Sequence, residues 1–423
     1  MSIISTTMCY PSPIAPTRGV FVWRRLREIH RLIPIRVVCP ELWFPWLRGI
    51  ARPISQHGGS LYEPPVWRPR MFYFPGILKR LDAVFYARAF ERGLTMATRD
   101  EPASLVDAHF EWPDGVGAWR VARRLHIPFI CTLRGKLVSQ IVEPSKRRQI
   151  REMLLGADAL IAVSRALARL ACDVAGRDLA IRVIPNGIDR AAFRRFEDAR
   201  RPDASPATRE GQGARSHETS LASWPRGWSR GARYVVSVGH LQALKGFDRL
   251  VDIWPEVRRR LGDVRLVLVG GGANEPAYER QLRRQIESSG LGAMGRDRGA
   301  VILAGRLLPD EIATLLNAAD LFVLASRSEG SCNAIVEALA CGCPVVATDV
   351  GGNSEIVHDP AVGCLVPSGD RDALAEAVCR ALEQRWDREQ IAVIGGRRDW
   401  QQTARECVDV FESVTGGTVV DRV

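Results

Sequence analysis

Short apolar runs alternate with amphipathic stretches along most of the chain. This alternation predicts the strands of parallel sheets separated by helices, an α/β architecture. The strands predicted in the first half are Ser2–Tyr10, Ile35–Cys39, Leu105–His109, Phe129–Leu133, Ala159–Val163 and Ile181–Ile184. The helices predicted between them are Phe21–Arg31, Gly115–Leu125, Arg147–Leu155 and Arg165–Ala175.

A second series of the same kind begins near residue 232. Its predicted strands are Tyr234–Val238, Val264–Val269, Val301–Ala304, Leu321–Leu324 and Val345–Thr348. Its predicted helices are Phe247–Arg260, Glu275–Ser288, Pro309–Ala318 and Cys332–Cys341. Ligands of such sheets bind beyond the carboxyl ends of the strands, so the loops that follow the strands are where chemistry is expected.

The segment 197–231 separates the two series and differs from both in composition. It is rich in Ser, Gly, Arg, Pro and Ala and poor in aliphatic residues, which is typical of a flexible linker or surface insertion. We therefore expect two doubly wound, Rossmann-like domains, 1–196 and 232–390. The tail 391–423 is expected to form a helix that returns to the first domain.

Composition and charge narrow the class of protein. With 46% hydrophobic and 25% charged residues the chain is globular, and it has no apolar run of about 20 residues that would span a bilayer. Ten cysteines without a CxxC pair indicate a reducing compartment. Residues 1–200 hold 32 Lys and Arg against 18 Asp and Glu, so the excess positive charge lies in the first half. That charge favours a polyanion or an anionic membrane surface, unless it reflects a general Arg bias.

The strongest motif runs from Ser326 to Pro344, after a predicted strand. Ser331 is the expected N-cap of the following helix, and carboxylates at Glu329 and Glu337 suit the hydroxyls of a sugar and a ribose. Open amides with the helix dipole form an anion site for a diphosphate. The residues expected to form this site are Gly330, Ser331, Cys332 and Asn333.

The two glutamates, eight positions apart, resemble the Glu-x7-Glu signature of family 4 glycosyltransferases. The resemblance continues through Val345–Val357 and follows most of the chain in order. It implies the GT-B fold, with two Rossmann-like domains facing a cleft, and retention of anomeric configuration without a metal. By the same likeness Glu329 would hold the donor sugar and Glu337 the ribose of the nucleotide.

A second donor-side segment, Val238–Phe247, lies between a strand and a helix. Lys245 would neutralise the leaving diphosphate, and it is one of only 4 lysines in a chain with 55 arginines. The family usually has Arg where this chain has His240, and Arg306 is a candidate to share that role. Gly270 and Gly271 end a strand and are expected to pass close to the nucleotide.

Acceptor-side candidates come from the first half. His109, at the end of a predicted strand, resembles the family's histidine that contacts the transferred sugar, although a structural role is an equal alternative. Arg134 and Lys136 would hold an acceptor phosphate or line a basic surface. Gly19 resembles the first glycine loop of the family, where backbone approaches the diphosphate.

Two aromatic stretches, Leu42–Arg48 and Trp67–Pro75, interleave with arginines. Exposed, they would enter a membrane interface; buried, they would pack a long loop. No nucleic-acid-binding module is evident.

The sequence thus predicts a cytoplasmic glycosyltransferase, peripheral at the inner face of the plasma membrane. Its expected partners are a UDP- or GDP-linked sugar donor and a glycan or polyprenyl-diphosphate-linked acceptor, and no cofactor is expected. The alternatives are an epimerase or phosphorylase on the same fold, and a sugar-nucleotide-binding protein that has lost turnover.

Overall fold

The computed structural model describes residues 2–44, 63–74, 76, 78–196, 231–271, 275–292 and 299–416. The predicted linker, except for residue 231, and the end of the first aromatic stretch lie outside these residues. The chain divides into two compact units: residues 1–187 with 398–423, and residues 188–397. The second unit begins earlier than the boundary expected after residue 196, because Ile188 and Phe193 are buried in its core.

The first unit is built on a seven-stranded sheet of order β4-β2-β1-β6-β7-β8-β9 in which neighbouring strands are parallel. The strands of this unit are β1 Ile3–Thr6, β2 Ile35–Val38, β3 Glu41–Trp43, β4 Val66–Trp67, β5 Arg70–Phe72, β6 Leu105–His109, β7 Phe129–Leu133, β8 Ala159–Ala162 and β9 Ile181–Val183. Its helices are α1 Val20–Leu32, α2 Asp82–Ala97, α3 Val116–Arg124, α4 Leu137–Gln140, α5 Pro144–Gly156, α6 Arg165–Ala175 and α14 Trp400–Thr415. Apolar side chains fill both faces of the sheet, as expected for parallel strands between helices.

The second unit repeats the plan with six parallel strands in the order β12-β11-β10-β13-β14-β15. Its strands are β10 Arg233–Val238, β11 Val264–Val269, β12 Val301–Gly305, β13 Leu321–Leu324, β14 Val345–Thr348 and β15 Gly363–Val366. Its helices are α7 Phe247–Leu261, α8 Pro276–Ser288, α9 Pro309–Ala318, α10 Asn333–Ala340, α11 Asn353–Ile356, α12 Arg371–Glu383 and α13 Arg388–Gly395. Trp254 of α7, with no exposed surface, is the largest side chain of this core.

Helix α2 was not predicted. Its buried residues do recur at helical spacing, with Tyr86, Phe90 and Leu94 four residues apart, and small residues such as Ala83 and Gly93 lie between these large side chains. A Cβ built on Gly93 would lie 2.5 Å from Cγ1 of Val38, so the helix packs closely on β2 at this point.

The described parts of the two aromatic stretches pack on each other. Strands β3 and β5 pair in parallel, with Trp43 edge-on to Phe72 at 4.9 Å and Phe44 edge-on to Phe74 at 5.5 Å between ring centroids. Phe74 also contacts Phe85 of α2 at 5.7 Å. These rings are therefore mainly packing partners, although Phe72 remains 39% exposed.

The C-terminal helix α14 belongs to the first unit and packs along α1. Phe411, 1% exposed, joins Val22, Leu26 and Ile29 of α1 in one apolar cluster. No helix among the described residues is both long and apolar enough to cross a membrane.

We predict that Phe411→Ala lowers the free energy of unfolding of the first unit by about 3–5 kcal/mol, because it leaves a cavity between α1 and α14. Urea denaturation followed by tryptophan fluorescence measures the loss. Asp409→Ala, on the exposed side of the same helix, is the matched control and should shift stability by less than about 0.5 kcal/mol. Equal losses in the two variants would show that α14 contributes little to the core.

Candidate functional site

The order of the strands in the second unit creates a crevice at the carboxyl ends of β10 and β13. Strand β10 lies between β11 and β13, so the connections that leave β10 and β13 diverge to opposite sides. Such a switch point is where doubly wound sheets bind ligands. Lys245 follows β10 in the short turn Ala243–Lys245, and Glu329 follows β13, so both candidates lie at this point.

Lys245 and Glu329 are in direct contact. Nζ of Lys245 lies 2.7 Å from Oε1 of Glu329, and the Ser326 hydroxyl donates to the same oxygen at 2.7 Å. The lysine side chain is 21% exposed and the glutamate 8%, so the pair is partly shielded from water. Burial by itself would lower the pKa of Lys245, but the Glu329 carboxylate outweighs it and the pKa is raised. Lys245 is therefore a permanent cation at neutral pH.

Two glycines let the loops around this pair approach each other. A Cβ on Gly246, where φ is +68°, would lie 1.9 Å from the Ala325 carbonyl oxygen, and a Cβ on Gly351, where φ is +56°, would lie 1.7 Å from the carbonyl oxygen of Glu329. Any other residue would clash and adopt a left-handed backbone at a cost. Both glycines allow the loops of the site to pack closely, and neither was predicted as a site residue. Gly246 lies in the segment Val238–Phe247 and Gly351 in the segment Val345–Val357.

Helix α10 begins beside the pair, and its start corrects one expectation. The N-cap is Cys332, not Ser331, and no side chain caps the helix. No acidic residue lies in the first turn, so the positive end of the helix dipole is not neutralised there. Gly330 is buried, Asn333 opens the helix, and Ser331 is half-buried in the preceding loop. This helix end, next to Lys245, is suited to an anion.

The remaining glutamate of the motif, Glu337, lies in α10 and is half-buried. It lies four residues, or about one turn, after Asn333, the first residue of the helix. The role of Glu337 at a ribose stays a prediction.

The loops after β11 and β12 complete the other side of the crevice. A Cβ on Gly270 would lie 1.8 Å from the Gly239 carbonyl oxygen, and a Cβ on Gly271 would lie 2.7 Å from Nε of Arg306. Gly270 and Gly271 therefore bring the backbone of one loop against its neighbours, as glycine runs after a strand allow. Arg306 is exposed beside Gly271.

His240 stands where the resemblance implies an Arg, and much but not all of its surface is exposed in the same loop system. Partial burial lowers the pKa of His240, and the positive charges of Lys245 and Arg306 lower it further. The imidazole is consequently neutral at pH 7 and offers a hydrogen bond without a charge. Arg306 is, with Lys245, one of the two cations whose charge reaches His240.

In the first unit the corresponding switch point lies between β1 and β6. Gly19 is the N-cap of α1, with φ +65°, and a Cβ there would lie 2.0 Å from the Cys9 carbonyl oxygen. Only glycine fits this close approach. Its role at a diphosphate stays a prediction.

His109 ends β6 but lies in the interior, 1% exposed. Nδ1 lies 3.3 Å from Nη2 of Arg134, and Nε2 lies 3.1 Å from Oδ2 of Asp107. Because a guanidinium only donates, Nδ1 accepts and the ring hydrogen sits on Nε2, facing Asp107. Burial lowers the pKa of His109, and the Asp107 carboxylate only partly opposes this, so the ring is neutral. Nδ1 is engaged by Arg134, and Nε2 faces the Asp107 carboxylate without an aligned hydrogen bond among the described residues. The ring is enclosed within the unit, which favours the structural alternative for His109.

The two acceptor-side cations differ in placement. Arg134 is 3% exposed, with its guanidinium carbon 5.0 Å from the Phe21 ring and 5.8 Å from the Phe110 ring. Lys136 is exposed, with Nζ 5.3 Å from the Phe110 ring centroid. Arg134 therefore packs against aromatic rings in the interior, and of the two cations only Lys136 is accessible to a ligand.

Two buried carboxyl groups next to these residues were not predicted from the sequence, although both follow His109 within five residues. Glu111 has no exposed surface, accepts the Arg134 backbone N–H at 2.7 Å, and burial raises its pKa to about 8. Asp114, 3% exposed, accepts the Met8 backbone N–H at 2.8 Å, and burial raises its pKa to about 6. Only their burial, a tertiary property, sets them apart from other acidic residues.

We predict that Glu111→Gln makes the first unit less sensitive to pH. The folded wild type retains a proton on Glu111 that the unfolded chain loses near pH 4–5. Because the folded state binds more protons, its free energy of unfolding falls as pH rises from about 5 to about 8. Gln removes this contribution, which is about 3 kcal/mol between pH 5.5 and 8.5, and urea denaturation at these two pH values measures it.

The matched control for this experiment is Glu152→Gln, whose side chain is 50% exposed. It should keep the pH dependence of the wild type. If Glu111→Gln lost the same stability between the two pH values as the wild type, the buried carboxyl would be ionised in the folded protein.

Comparison with known families adds to this geometry. Residues 19–192 match the family described as "Glycosyltransferase Family 4", and residues 232–384 match "Glycosyl transferases group 1". The two matches cover the two units in the order expected from the motifs.

Similar proteins agree along the whole chain. The chain is 30% identical over 402 residues to the protein of Bacillus subtilis named as the teichuronic acid biosynthesis glycosyltransferase TuaC, covering 91% of this chain and 90% of that protein. Its fold is similar to that of sucrose-phosphate synthase from Thermosynechococcus elongatus, with TM-score 0.74, 20% identity and coverage of 99% and 100% of the two chains. It is also similar to Anabaena HepE in complex with UDP-glucose, with TM-score 0.68, 19% identity and coverage of 98% and 100%. The chain belongs to the family 4 glycosyltransferases and has the two Rossmann-like units of the GT-B fold.

Proposed function

We propose that this glycosyltransferase moves a sugar from a UDP- or GDP-linked donor to a glycan or polyprenyl-diphosphate-linked acceptor in the synthesis of a bacterial surface polysaccharide. In this proposal the transfer retains the anomeric configuration and needs no metal or other cofactor. The enzyme works in the cytoplasm at the inner face of the plasma membrane.

The observation that carries the proposal is the contact of Lys245 with Glu329 at the switch point of the second unit, 2.7 Å apart and beside the uncapped start of α10. A nucleoside diphosphate sugar carries the two groups that this arrangement complements. Its diphosphate is an anion for Lys245 and the helix dipole, and its sugar hydroxyls are donors for the Glu329 carboxylate.

The chemistry follows from these contacts. The bond between the anomeric carbon and the diphosphate oxygen breaks, and the leaving diphosphate keeps the electron pair. Lys245 and the start of α10 stabilise the negative charge that develops on it, with Arg306 nearby. The acceptor hydroxyl oxygen bonds to the anomeric carbon from the same face, and its proton passes to an oxygen of the leaving diphosphate. Glu329 holds the sugar and forms no covalent bond to it.

The comparisons support a nucleotide sugar as the class of donor and a polysaccharide as the class of product. HepE was solved with UDP-glucose, which favours a nucleotide sugar donor here. TuaC is named for teichuronic acid biosynthesis, which favours a polysaccharide product. The surplus of basic residues in 1–200 and the exposed Lys136 favour an anionic acceptor or membrane surface on the first unit. Membership of a transferase family favours transfer over epimerisation, since an epimerase needs no acceptor.

We predict that Lys245→Ala lowers the rate of donor cleavage about 30- to 1000-fold, because stabilisation of the leaving group on the order of 2–4 kcal/mol is lost. Release of nucleoside diphosphate from a panel of UDP- and GDP-sugars measures the rate. Lys146→Ala, which removes a lysine paired with Glu143 in the first unit, is the control and should retain full activity. Equal rates in Lys245→Ala and Lys146→Ala would remove Lys245 from the chemistry.

We also predict that the product keeps the anomeric configuration of the donor and that excess EDTA leaves the rate within about twofold, since Lys245 and the start of α10 supply the positive charge. NMR of the anomeric proton in the product, before mutarotation, measures the first. Rates before and after chelation, with Mg²⁺ added back, measure the second. An inverted product, or activity that only Mg²⁺ restores, contradicts the mechanism.

A further inference from the structure

A cluster of polar contacts lies next to the Lys245–Glu329 pair without touching either side chain. Arg327, two residues before Glu329, forms a forked ion pair with Asp248 of α7: Nη1 donates to Oδ1 at 3.0 Å and Nη2 donates to Oδ2 at 2.6 Å. The same guanidinium donates to the carbonyl oxygen of Ala243, in the turn that carries Lys245. The backbone N–H of Arg327 donates to the Leu244 carbonyl oxygen at 2.8 Å.

These contacts join the two loops that carry the reactive pair. The turn Ala243–Lys245 follows β10, and Arg327 follows β13, 84 residues apart from Ala243 along the chain. A single arginine therefore links one loop to the other through both its side chain and its backbone. A forked guanidinium suits this task, since it makes several hydrogen bonds in a fixed plane.

Asp248 is itself held in place from a third element. The Tyr278 hydroxyl of α8 donates to Oδ1 of Asp248 at 2.8 Å and accepts the Asp248 backbone N–H at 3.1 Å. Gln285, further along α8, donates to the Asp248 carbonyl oxygen at 3.0 Å. Burial by itself would raise the pKa of Asp248, but the hydrogen bonds from Arg327 and Tyr278 outweigh it and lower the pKa. The carboxylate stays ionised throughout the neutral range.

The exposure of this ion pair limits what it contributes to stability. The side chains of Arg327 and Asp248 are 36% and 24% exposed, and an ion pair that water reaches contributes little to the free energy of folding. Yet five further hydrogen bonds link these two residues to the turn Ala243–Lys245 and to α8. Fixing these side chains costs conformational entropy, and the small gain in stability does not explain that cost. The position that the contacts impose on the neighbouring loops explains it better.

We propose that Arg327 and Asp248 are positioning residues that hold the turn of Lys245 against the loop of Glu329, so that the ammonium and the carboxylate meet the donor in one fixed arrangement. This inference rests on the proposed function for its catalytic consequence only. The positional part concerns the contact between Lys245 and Glu329, which is measurable without substrate.

The first experiment measures the reactivity of the Lys245 amine. Reductive methylation with limiting formaldehyde at pH 8, read by peptide mass spectrometry, compares Lys245 with the exposed Lys136 in the same sample. In the wild type Glu329 holds Lys245 protonated, so modification is slow. In Arg327→Ala we expect Lys245 to react about three- to tenfold faster relative to Lys136, because the turn no longer keeps it at the carboxylate. Glu329→Gln, which removes the partner directly, should show a similar increase.

The matched control is Arg260→Ala. Arg260 lies on α7, like Asp248, and pairs with Glu376 at 2.7 Å on the surface of the same unit. Its loss removes an arginine ion pair from the same unit without touching either loop, so the reactivity of Lys245 should equal that of the wild type. Asp248→Asn, which keeps the shape of the side chain and removes its charge, serves if Arg327→Ala does not fold, and should raise the reactivity in the same direction.

The second experiment compares turnover with stability. We expect Arg327→Ala to lower kcat about 10- to 100-fold through misplacement of Lys245, with a Tm close to that of Arg260→Ala. Arg327→Lys should recover only part of the rate, because an ammonium cannot bind both carboxylate oxygens and the Ala243 carbonyl together.

Unchanged reactivity of Lys245 in both Arg327→Ala and Asp248→Asn would overturn the proposal, whatever happened to the rate. A lower rate with unchanged reactivity would assign Arg327 to direct contact with the donor. Raised reactivity in an enzyme that cleaves no nucleotide sugar would leave the positioning role standing and reject the proposed function.

Discussion

The candidate site depends on the parallel pairing of β10 with β13. These strands are neighbours in the sheet although about 80 residues separate their ends, and the chain leaves them toward opposite sides. The crevice that results is a consequence of strand order, before any side chain is considered. Lys245 and Glu329 meet because each is placed shortly after one of the two strands.

Electrostatics then sets the state of the site without a ligand. The positive end of α10 and the Lys245 ammonium lie close together, and the Glu329 carboxylate with the Ser326 hydroxyl offsets part of that charge. In the function we propose, a diphosphate would replace Glu329 as the anionic partner of Lys245, which would release the carboxylate for the hydroxyls of a sugar. His240 adds little positive charge to the site, since burial and its cationic neighbours lower its pKa and keep it neutral. The exposed Arg306 is the charged residue beside it.

The first unit has the same architecture but a different use of polar residues. Around the end of β6 the polar groups are buried and close together: His109 lies between Asp107 and Arg134, and Glu111 accepts a backbone N–H. Some of their atoms, such as Nε2 of His109 and Oε2 of Glu111, have no hydrogen-bond partner among the described residues. A buried neutral carboxyl and a neutral imidazole avoid the cost of uncompensated charge in the interior. The positive surplus of this half is thus a property of its surface, and Arg134, inside it, braces the rings of Phe21 and Phe110.

Local pattern was enough to predict much of the secondary structure. Strands Leu105–His109, Phe129–Leu133, Val264–Val269 and Val345–Thr348 have the predicted bounds, because a buried parallel strand is an uninterrupted apolar run between turn residues. The spacing of Glu329 and Glu337 was equally visible, since both lie on one continuous segment. The α/β class and the family followed from these two kinds of local information.

Tertiary structure alone decided which of these residues meet. The N-cap at Cys332, the contact of Lys245 with Glu329 and the fork from Arg327 to Asp248 depend on loop conformation and strand order, which no local period encodes. The burial of His109 and Glu111 likewise comes from helices packed around β6, so a histidine that looks accessible at a strand end lies in the interior. The close packing of Gly93 of α2 on Val38 of β2 is also a tertiary property, whereas the helical spacing of the apolar residues of α2 is visible in the sequence. Periodicity records which face of an element is apolar, whereas proximity and desolvation arise only when distant segments pack together.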